Sequence, residues 1–331
     1  MYTMIKSIGI YQKNNSYNIK LGSSNPVFRA TKGNNINSTT RIKYLTKRLD
    51  NVLRIQTNAD CLSSYIKYIP KGVRTEEKIK KLEFLFQCSK FFSRMPFSEK
   101  RFGKNFDFAI MANNLSEKVT KLINEGINLE KILKQIEHYY TDFTDKYREK
   151  ELFYHTGYRG VSAGNHPSDD AITPFTEDTY GENYFKRLAD STNNRIPPHY
   201  GFTPTKIFMY TFWHGRLQHP NSEQVDKNMK IISENYKIFQ SIVEKYQKTK
   251  VLNAIEIEQA DNIIAEIYYL IANTCPFHHG TNGICDILMR GQYAALGINK
   301  PHIKCGVSLD LEAFCMNLDE YKSEWNNLFE K

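Results

Sequence analysis

One cysteine, two histidines and two glycines fall within nine residues at Cys275-Pro276-Phe277-His278-His279-Gly280-Thr281-Asn282-Gly283. Neutral His278 or His279 could serve as a general base, because histidine titrates near working pH. Cys275 could be a nucleophile if one of those histidines were protonated beside it. Its place at a helix C-terminus opposes a thiolate, however, and a buried structural cysteine is the commoner role. Gly280, Thr281, Asn282 and Gly283 lead into a helix whose first N–H groups have no intrahelical acceptor, so the turn could cradle a phosphate. Arg290, two turns further along, is the arginine available to a bound anion. An ordinary turn between two helices would carry the same signal.

Two further constellations lie upstream. Phe153-Tyr154-His155-Thr156-Gly157-Tyr158-Arg159-Gly160, Gly201-Phe202-Thr203-Pro204-Thr205 and Glu256-Ile257-Glu258 follow one another at about 44 and 53 residues. This order resembles arginine-type ADP-ribosyltransferases, which implies that Arg159 holds the NAD phosphates and Glu258 stabilises the oxocarbenium-like charge. Glu256 and Glu258 also suit the electropositive start of a helix, with no catalytic role. Trp213-His214-Gly215-Arg216 follows a predicted strand, where His214 can face a pocket with His155 and Arg159 nearby. A lone histidine beside tryptophan is more often a satisfied packing residue.

The loop has to be held by helices. Ala260, Ile264, Ile267, Tyr268 and Ile271 recur at steps of three or four, which predicts a buried helix before Pro276. Ile284, Ile287, Leu288 and Ala295 predict a second one, closed by Gly297. Val225, Met229, Ile232, Tyr236, Phe239, Val243 and Tyr246 predict a long helix in front of them. Further helices are expected over Tyr44 to Leu53, from Thr75 towards Pro96, from a cap at Asn114 to Gly126, and from a cap at Asn128 with Leu129, Ile132, Leu133, Ile136 and Tyr139 or Tyr140 facing the core. Between His155 and Pro220 lie six of the eleven prolines, so 152–220 is expected to be mostly irregular, apart from a short helix at Glu182 to Ala189 and a strand at Lys206 to Phe212. A hairpin or extended arm is expected over Ile8 to Phe28, and short helices after Ser308 and Asp319.

Helix, then C-P-F-x-x-G-x-N-G, then a helix ending L-G-I-x-x-P resembles the Fic/Doc superfamily, whose signature is H-P-F-x-x-G-N-G-R between two buried helices. Pro276, Phe277 and Gly280 match in place. Cys275 stands at the catalytic histidine, His279 at the acidic residue that positions a metal ion, and Thr281-Asn282-Gly283 at Asn-Gly-Arg. The chain looks more like the AvrB-like bacterial effectors, which also lack the usual motif. The resemblance implies a protein substrate, a nucleotide-type donor (ATP, NAD or a sugar nucleotide) and a Mg ion. It equally admits a non-catalytic binding module on a degenerate Fic-like fold.

The net charge of +9 is unevenly spread. Residues 1–105 carry 21 Lys/Arg against 6 Asp/Glu, and residues 106–331 carry 24 against 30. A basic N-terminal region could meet an acidic partner or an anionic membrane surface, unless the acidic remainder packs beside it. Nucleic acid is not expected as a partner, because no RNP, zinc-finger or helix-turn-helix signature is present. None of the six cysteines forms a C-x-x-C pair and no H-E-x-x-H pattern occurs, so no metal ligand is assigned. With no apolar run of membrane length and no hydrophobic signal core at Met1 to Lys20, the expected location is cytoplasmic, or a host cell reached without a cleaved signal peptide. The expected fold is mainly α (α+β): a basic region 1–105, and a helical domain 106–331 built around the Fic-like helix-loop-helix.

Overall fold

The computed structural model describes residues 38–56, 74–92, 106–147, 157–191, 195–197, 200–211 and 214–331. The expected arm over 8–28, the break at Pro96 and the candidate His155 lie outside the described residues. Among the described residues, two α-helices lie in the basic region. The first, α1 (Ser38–Gln56), buries Leu45 and Leu49. The second, α2 (Thr75–Cys88), buries Ile79, Leu82, Leu85 and Phe86, the stripe that the spacing predicts. Arg74, without a side-chain cap, occupies the position expected of Thr75, while Glu76 and Glu77 complement the helix dipole from the first turn.

Helix α3 (Phe106–Asn124) starts eight residues before the expected cap. Asn114 is an exposed mid-helix residue, and Phe108, Ala109, Ala112, Leu115, Val119 and Ile123 form one continuous buried stripe through the supposed boundary. Its neighbour α4 (Leu129–Tyr147) is capped as predicted, since Asn128 Oδ1 accepts from the Lys131 N–H at 3.0 Å. Tyr140 turns into the core and Tyr139 stays exposed.

The segment expected to be irregular holds most of a small sheet. Strands β1 (Ala171–Thr176), β2 (Lys206–Thr211) and β3 (His214–His219) pair antiparallel in the order β1-β3-β2. Pro174 obscured β1 in the sequence, yet proline is tolerated in a strand at a sheet edge. Gly215 is required in β3: a Cβ there would stand 2.3 Å from the Phe175 ring. Between β1 and β2 run α5 (Glu177–Tyr180) and α6 (Glu182–Asp190). Their Tyr180, Tyr184, Phe185 and Leu188 close a second small core with Phe175, Ile207 and Leu217.

Three long helices form the centre. Asn221 opens α7 (Ser222–Thr249) in a capping box with Gln224, and Asn253 opens α8 (Ala254–Thr274) in one with Glu256. These reciprocal bonds satisfy amides that a helix start otherwise leaves without acceptors. Every residue of α8 from Ile263 to Thr274 is buried, consistent with a central helix. Helix α9 (Thr281–Ala295) returns from the loop and lies so close to α3 that a Cβ on Gly291 would meet Val119 Cγ1 at 2.5 Å. Two short helices, α10 (Leu309–Cys315) and α11 (Leu318–Glu324), then bring Trp325 and Phe329 into the main core. Leu45 and Leu82 belong to that same core, and Ser89 Oγ meets His302 Nε2 at 2.9 Å, so the helices before residue 105 are packed into the rest.

A buried polar chain ties the sheet to α8. Thr205 Oγ1 donates to the Asn273 carbonyl at 2.8 Å, so its lone pair is left to accept from His219 Nδ1–H at 2.9 Å. His219 Nε2 then accepts from Thr173 Oγ1 at 2.9 Å. Burial, reinforced by the Arg159 charge, pushes this imidazole down to about 3, which keeps it neutral. The Arg195 guanidinium completes the chain by donating to the carbonyls of Phe314 and Thr205 and, at 3.1 Å, to Asn273 Oδ1. Among the described residues no helix is long and apolar enough to cross a membrane.

Candidate functional site

The loop between α8 and α9 is built on an unusual cap. Cys275 ends α8 in the left-handed region (φ 47°), with its N–H donating to the Ile271 carbonyl at 2.9 Å. A non-glycine residue held there costs about 1–2 kcal/mol, so something must hold it. The strand-like segment 157–160 does so. Tyr158 and Phe277 form a β-bridge, the Arg159 N–H donates to the Pro276 carbonyl at 2.8 Å, and the His278 N–H donates to the Gly157 carbonyl at 3.0 Å. Arg159 Nη1 donates to the Cys275 carbonyl at 2.8 Å and Nη2 to the Pro220 carbonyl at 2.7 Å. Asp226, on α7, anchors the segment from the other side by accepting from Tyr158 OH at 2.9 Å and from the Ser162 N–H at 3.0 Å.

These contacts define the place of each residue that the sequence singled out. Arg159 is 2 % exposed and its guanidinium is committed to backbone carbonyls, so it is a loop clamp and does not face a pocket where NAD phosphates could reach it. Glu256 serves the α8 capping box and pairs with Lys245, whereas Glu258 sits exposed two residues on; both lie on a helix and not on the strand that the ADP-ribosyl pattern needs. His214 is exposed at the start of β3, paired with Thr176 and Thr211. Arg290 is 7 % exposed and donates through Nη1 to the carbonyls of Lys300 and Pro301 at 2.8 and 2.7 Å, which removes it from the loop's anion site. Burial pushes the Cys275 thiol up from its ordinary value, against nucleophilic use, and its sulfur makes only long contacts, to Phe277 O at 3.8 Å and Thr281 Oγ1 at 3.7 Å. His278 is exposed and His279 half-buried, both beside the loop.

The two loop glycines have a packing reason. Gly280 takes φ 82°, and the Tyr140 ring of α4 lies against it and Gly283. A Cβ would stand 2.6 Å from Tyr140 Cε1 at Gly280 and 2.8 Å from Tyr140 Cε2 at Gly283. One flank of the α9 entrance is therefore occupied by an aromatic ring. The remaining flank is half-buried and polar: Thr281 and Asn282 reach solvent, and the N-cap, Gly280, has no side chain to offer the first amides of the helix, which lack intrahelical acceptors.

One turn further along that helix stands a carboxylate that motif reasoning missed. Tyr268 OH, from α8, lies 2.7 Å from Asn282 Oδ1 and 2.9 Å from Asp286 Oδ1. Burial pushes Asp286 up to about 7; the Tyr268 bond and the Arg290 charge oppose the shift, and the neighbouring Asp310 charge adds to it. A carboxyl near neutrality can take or give a proton at working pH. The signal was present in the sequence as an aspartate set four residues after Asn282 inside an otherwise apolar run, Ile284 to Leu288.

A family model described as an avirulence protein, AvrB_AvrC, matches residues 214–331. The matched stretch runs from β3 to the C-terminus, a little over a third of the chain, and takes in the loop, Asp286 and Asp310. It supports the AvrB-like part of the resemblance seen in the sequence and does not extend to the Fic/Doc signature. No curated protein matches the chain. The metal ion implied by the signature lacks its carboxylate, because His279 takes that place. Among the described residues no three His, Cys, Asp or Glu side chains gather as a ligand set.

Proposed function

We propose that this chain is an avirulence-type effector that modifies a target protein by transfer from an anionic, nucleotide-type donor. The observation that carries the reading is the pairing, within the family-matched stretch, of an uncapped helix start at Thr281 to Gly283 with Asp286 held near neutrality. Free amides and the helix dipole favour a phosphate at that start. Asp286 takes the proton from the attacking hydroxyl of the target as the bond to the transferred group forms and that group's bond to the rest of the donor breaks, the remainder departing as the leaving group, and Tyr268 and Asn282 orient the carboxyl. His278 or His279 is the alternative base.

The test is incubation of the full chain with labelled ATP, NAD and sugar nucleotides in turn, together with a eukaryotic lysate. Label should move to a protein from one donor, and Asp286→Asn should reduce that transfer by about two orders of magnitude. Transfer unchanged by Asp286→Asn but lost in His278→Ala/His279→Ala would move the base to the histidines. Transfer that survives both would remove this face of α9 from the reaction. A second reading, a non-catalytic binding module, is favoured by one specific feature: the Tyr140 ring occupies one flank of the turn where a donor would lie. No transfer from any donor would select it.

A further inference from the structure

Far from the loop in sequence, the outer face of the sheet carries side chains that the proposed chemistry does not use. Alternation sends Phe175, Ile207 and Leu217 inward and leaves Ile172, Pro174, Phe208, Tyr210, His214, Arg216 and Gln218 outside. The register arranges them in rows: Ile172, Gln218 and Lys206 in one, and Pro174, Arg216 and Phe208 in the next. Ile172 is 51 % and Tyr210 58 % exposed. The Arg216 guanidinium carbon lies 4.9 Å from the centroids of both the Phe208 and the Tyr210 ring. Its Nε is buried without a hydrogen-bond partner, and among the described residues no carboxylate pairs with Arg216 or with Lys206. Beside this face, Asp170 accepts from Gln218 Nε2 at 2.8 Å.

We infer that this face docks an extended acidic segment of a partner protein, with one of its carboxylates seated on Arg216. Stacking on two rings fixes the guanidinium plane before binding, and a planar fork with free donors is matched by a carboxylate in bidentate fashion. Residues two apart on an extended chain are about 7 Å apart, so apolar side chains on either side of that carboxylate fall on Ile172 and Pro174 at one margin and Tyr210 at the other. The apolar surroundings favour a peptide over a polyanion or a membrane surface, which would need a wider spread of cations than Arg216 and Lys206. The inference does not depend on transfer chemistry, and a chain that moves no label can still pass its test.

The probe is a fluorescein-labelled nonapeptide with aspartate at positions 2, 4, 5, 6 and 8 and valine at positions 1, 3, 7 and 9, so that valines stand two residues either side of the central aspartate and on its face, with a counterpart carrying lysine for aspartate as control, titrated with the full chain and followed by anisotropy. The aspartate peptide should bind and the lysine peptide should not. Arg216→Gln should weaken binding by about tenfold or more, Arg216→Lys should restore part of it, and raised salt should weaken it. Lys206→Gln and Tyr210→Ala, at exposed positions, give the same reading if Arg216→Gln fails to fold, while Asp286→Asn should leave affinity unchanged. Equal binding of the two peptides, or affinity unaltered in the folded Arg216→Gln and Tyr210→Ala variants, would overturn the inference. So would binding of inorganic polyphosphate or of vesicles with one-third anionic lipid that depends on Arg216 when the aspartate peptide does not bind.

Discussion

Gly283 gives the sharpest test of how the loop is built, because two physical effects of opposite sign meet at one atom. Inside a helix, alanine is favoured over glycine by about 1 kcal/mol, and Gly283 lies in the first turn of α9. The added Cβ, however, would stand 2.8 Å from Tyr140 Cε2 and 2.9 Å from its hydroxyl oxygen, inside any contact real atoms show. Tyr140 is 8 % exposed and packs edge-on against Phe108 at 5.7 Å between ring centroids, so it cannot simply swing aside. Overpacking of this kind costs about 1–3 kcal/mol, which leaves Gly283→Ala destabilising by up to about 2 kcal/mol once the helical preference is subtracted. Replacing Tyr140 by alanine removes the clash and itself costs about 3–5 kcal/mol. In that background Gly283→Ala should turn stabilising by about 1 kcal/mol. Urea unfolding of the four proteins in the cycle measures both numbers. A stabilising Gly283→Ala in the otherwise unchanged chain would refute the seating of the ring, and with it the packing reason given for the glycine.

The other expectations concern charge. Arg159→Gln should lower stability by about 2–4 kcal/mol, since it strips donors from the buried carbonyls of Cys275 and Pro220; unchanged urea unfolding with lost NAD-dependent transfer would instead restore the ADP-ribosyl reading. For His219, the folded value of about 3 lies below the unfolded value of about 6.5. The unfolded chain therefore binds the extra proton first, so this contribution is complete above pH 6.5 and falls by up to about 1.4 kcal/mol per unit as pH drops towards 3; His219→Gln should flatten that part of the stability profile measured by thermal unfolding. Asp286 has the opposite sign. Its folded value near 7 lies above the unfolded value of about 3.9, so stability is lost as pH rises from 4 to 7, and Asp286→Asn should gain about 1–2 kcal/mol at pH 7 after allowance for partial exposure.

Where periodicity was long, the sequence was sufficient: α7, α8 and α9 emerge at the positions that Val225 to Tyr246, Ala260 to Ile271 and Ile284 to Ala295 predict, because each stripe has only one way to be buried. Local capping chemistry was less decisive. Asn128 caps a helix and Asn114 does not, and the difference lies in Phe108 and Ala112, whose burial against other helices carries α3 through the asparagine. The sheet was half hidden because β1 contains Pro174 and β3 contains Gly215, residues that count against a strand until the edge position and the Phe175 ring explain them. At the loop, the residue types suggested chemistry that pairwise geometry reassigned. Arg159 and Arg290 both have the composition of phosphate ligands, and both donate to carbonyls at chain turns, Arg159 through Nη1 and Nη2 and Arg290 through Nη1.

The same comparison shows why Asp286 outranks the motif residues. Arg159 and Arg290 each answer a structural need that can be named: a clamp across two loops, and a tie to the segment after α9. Asp286 answers a weaker one, since its carboxyl accepts from Tyr268 and its charge, when present, favours the buried Arg290 guanidinium. It lies in an apolar stretch, where burial of its charge works against folding at neutral pH, and its bond from Tyr268 offsets that burden only in part. Within the proposed function, a carboxyl that costs stability where an asparagine would hold the same hydrogen bond is kept for proton transfer. A variant that is more stable and no longer transfers label is therefore the outcome to expect from Asp286→Asn, and a variant that is more stable and equally active would leave the aspartate without a reason in the fold.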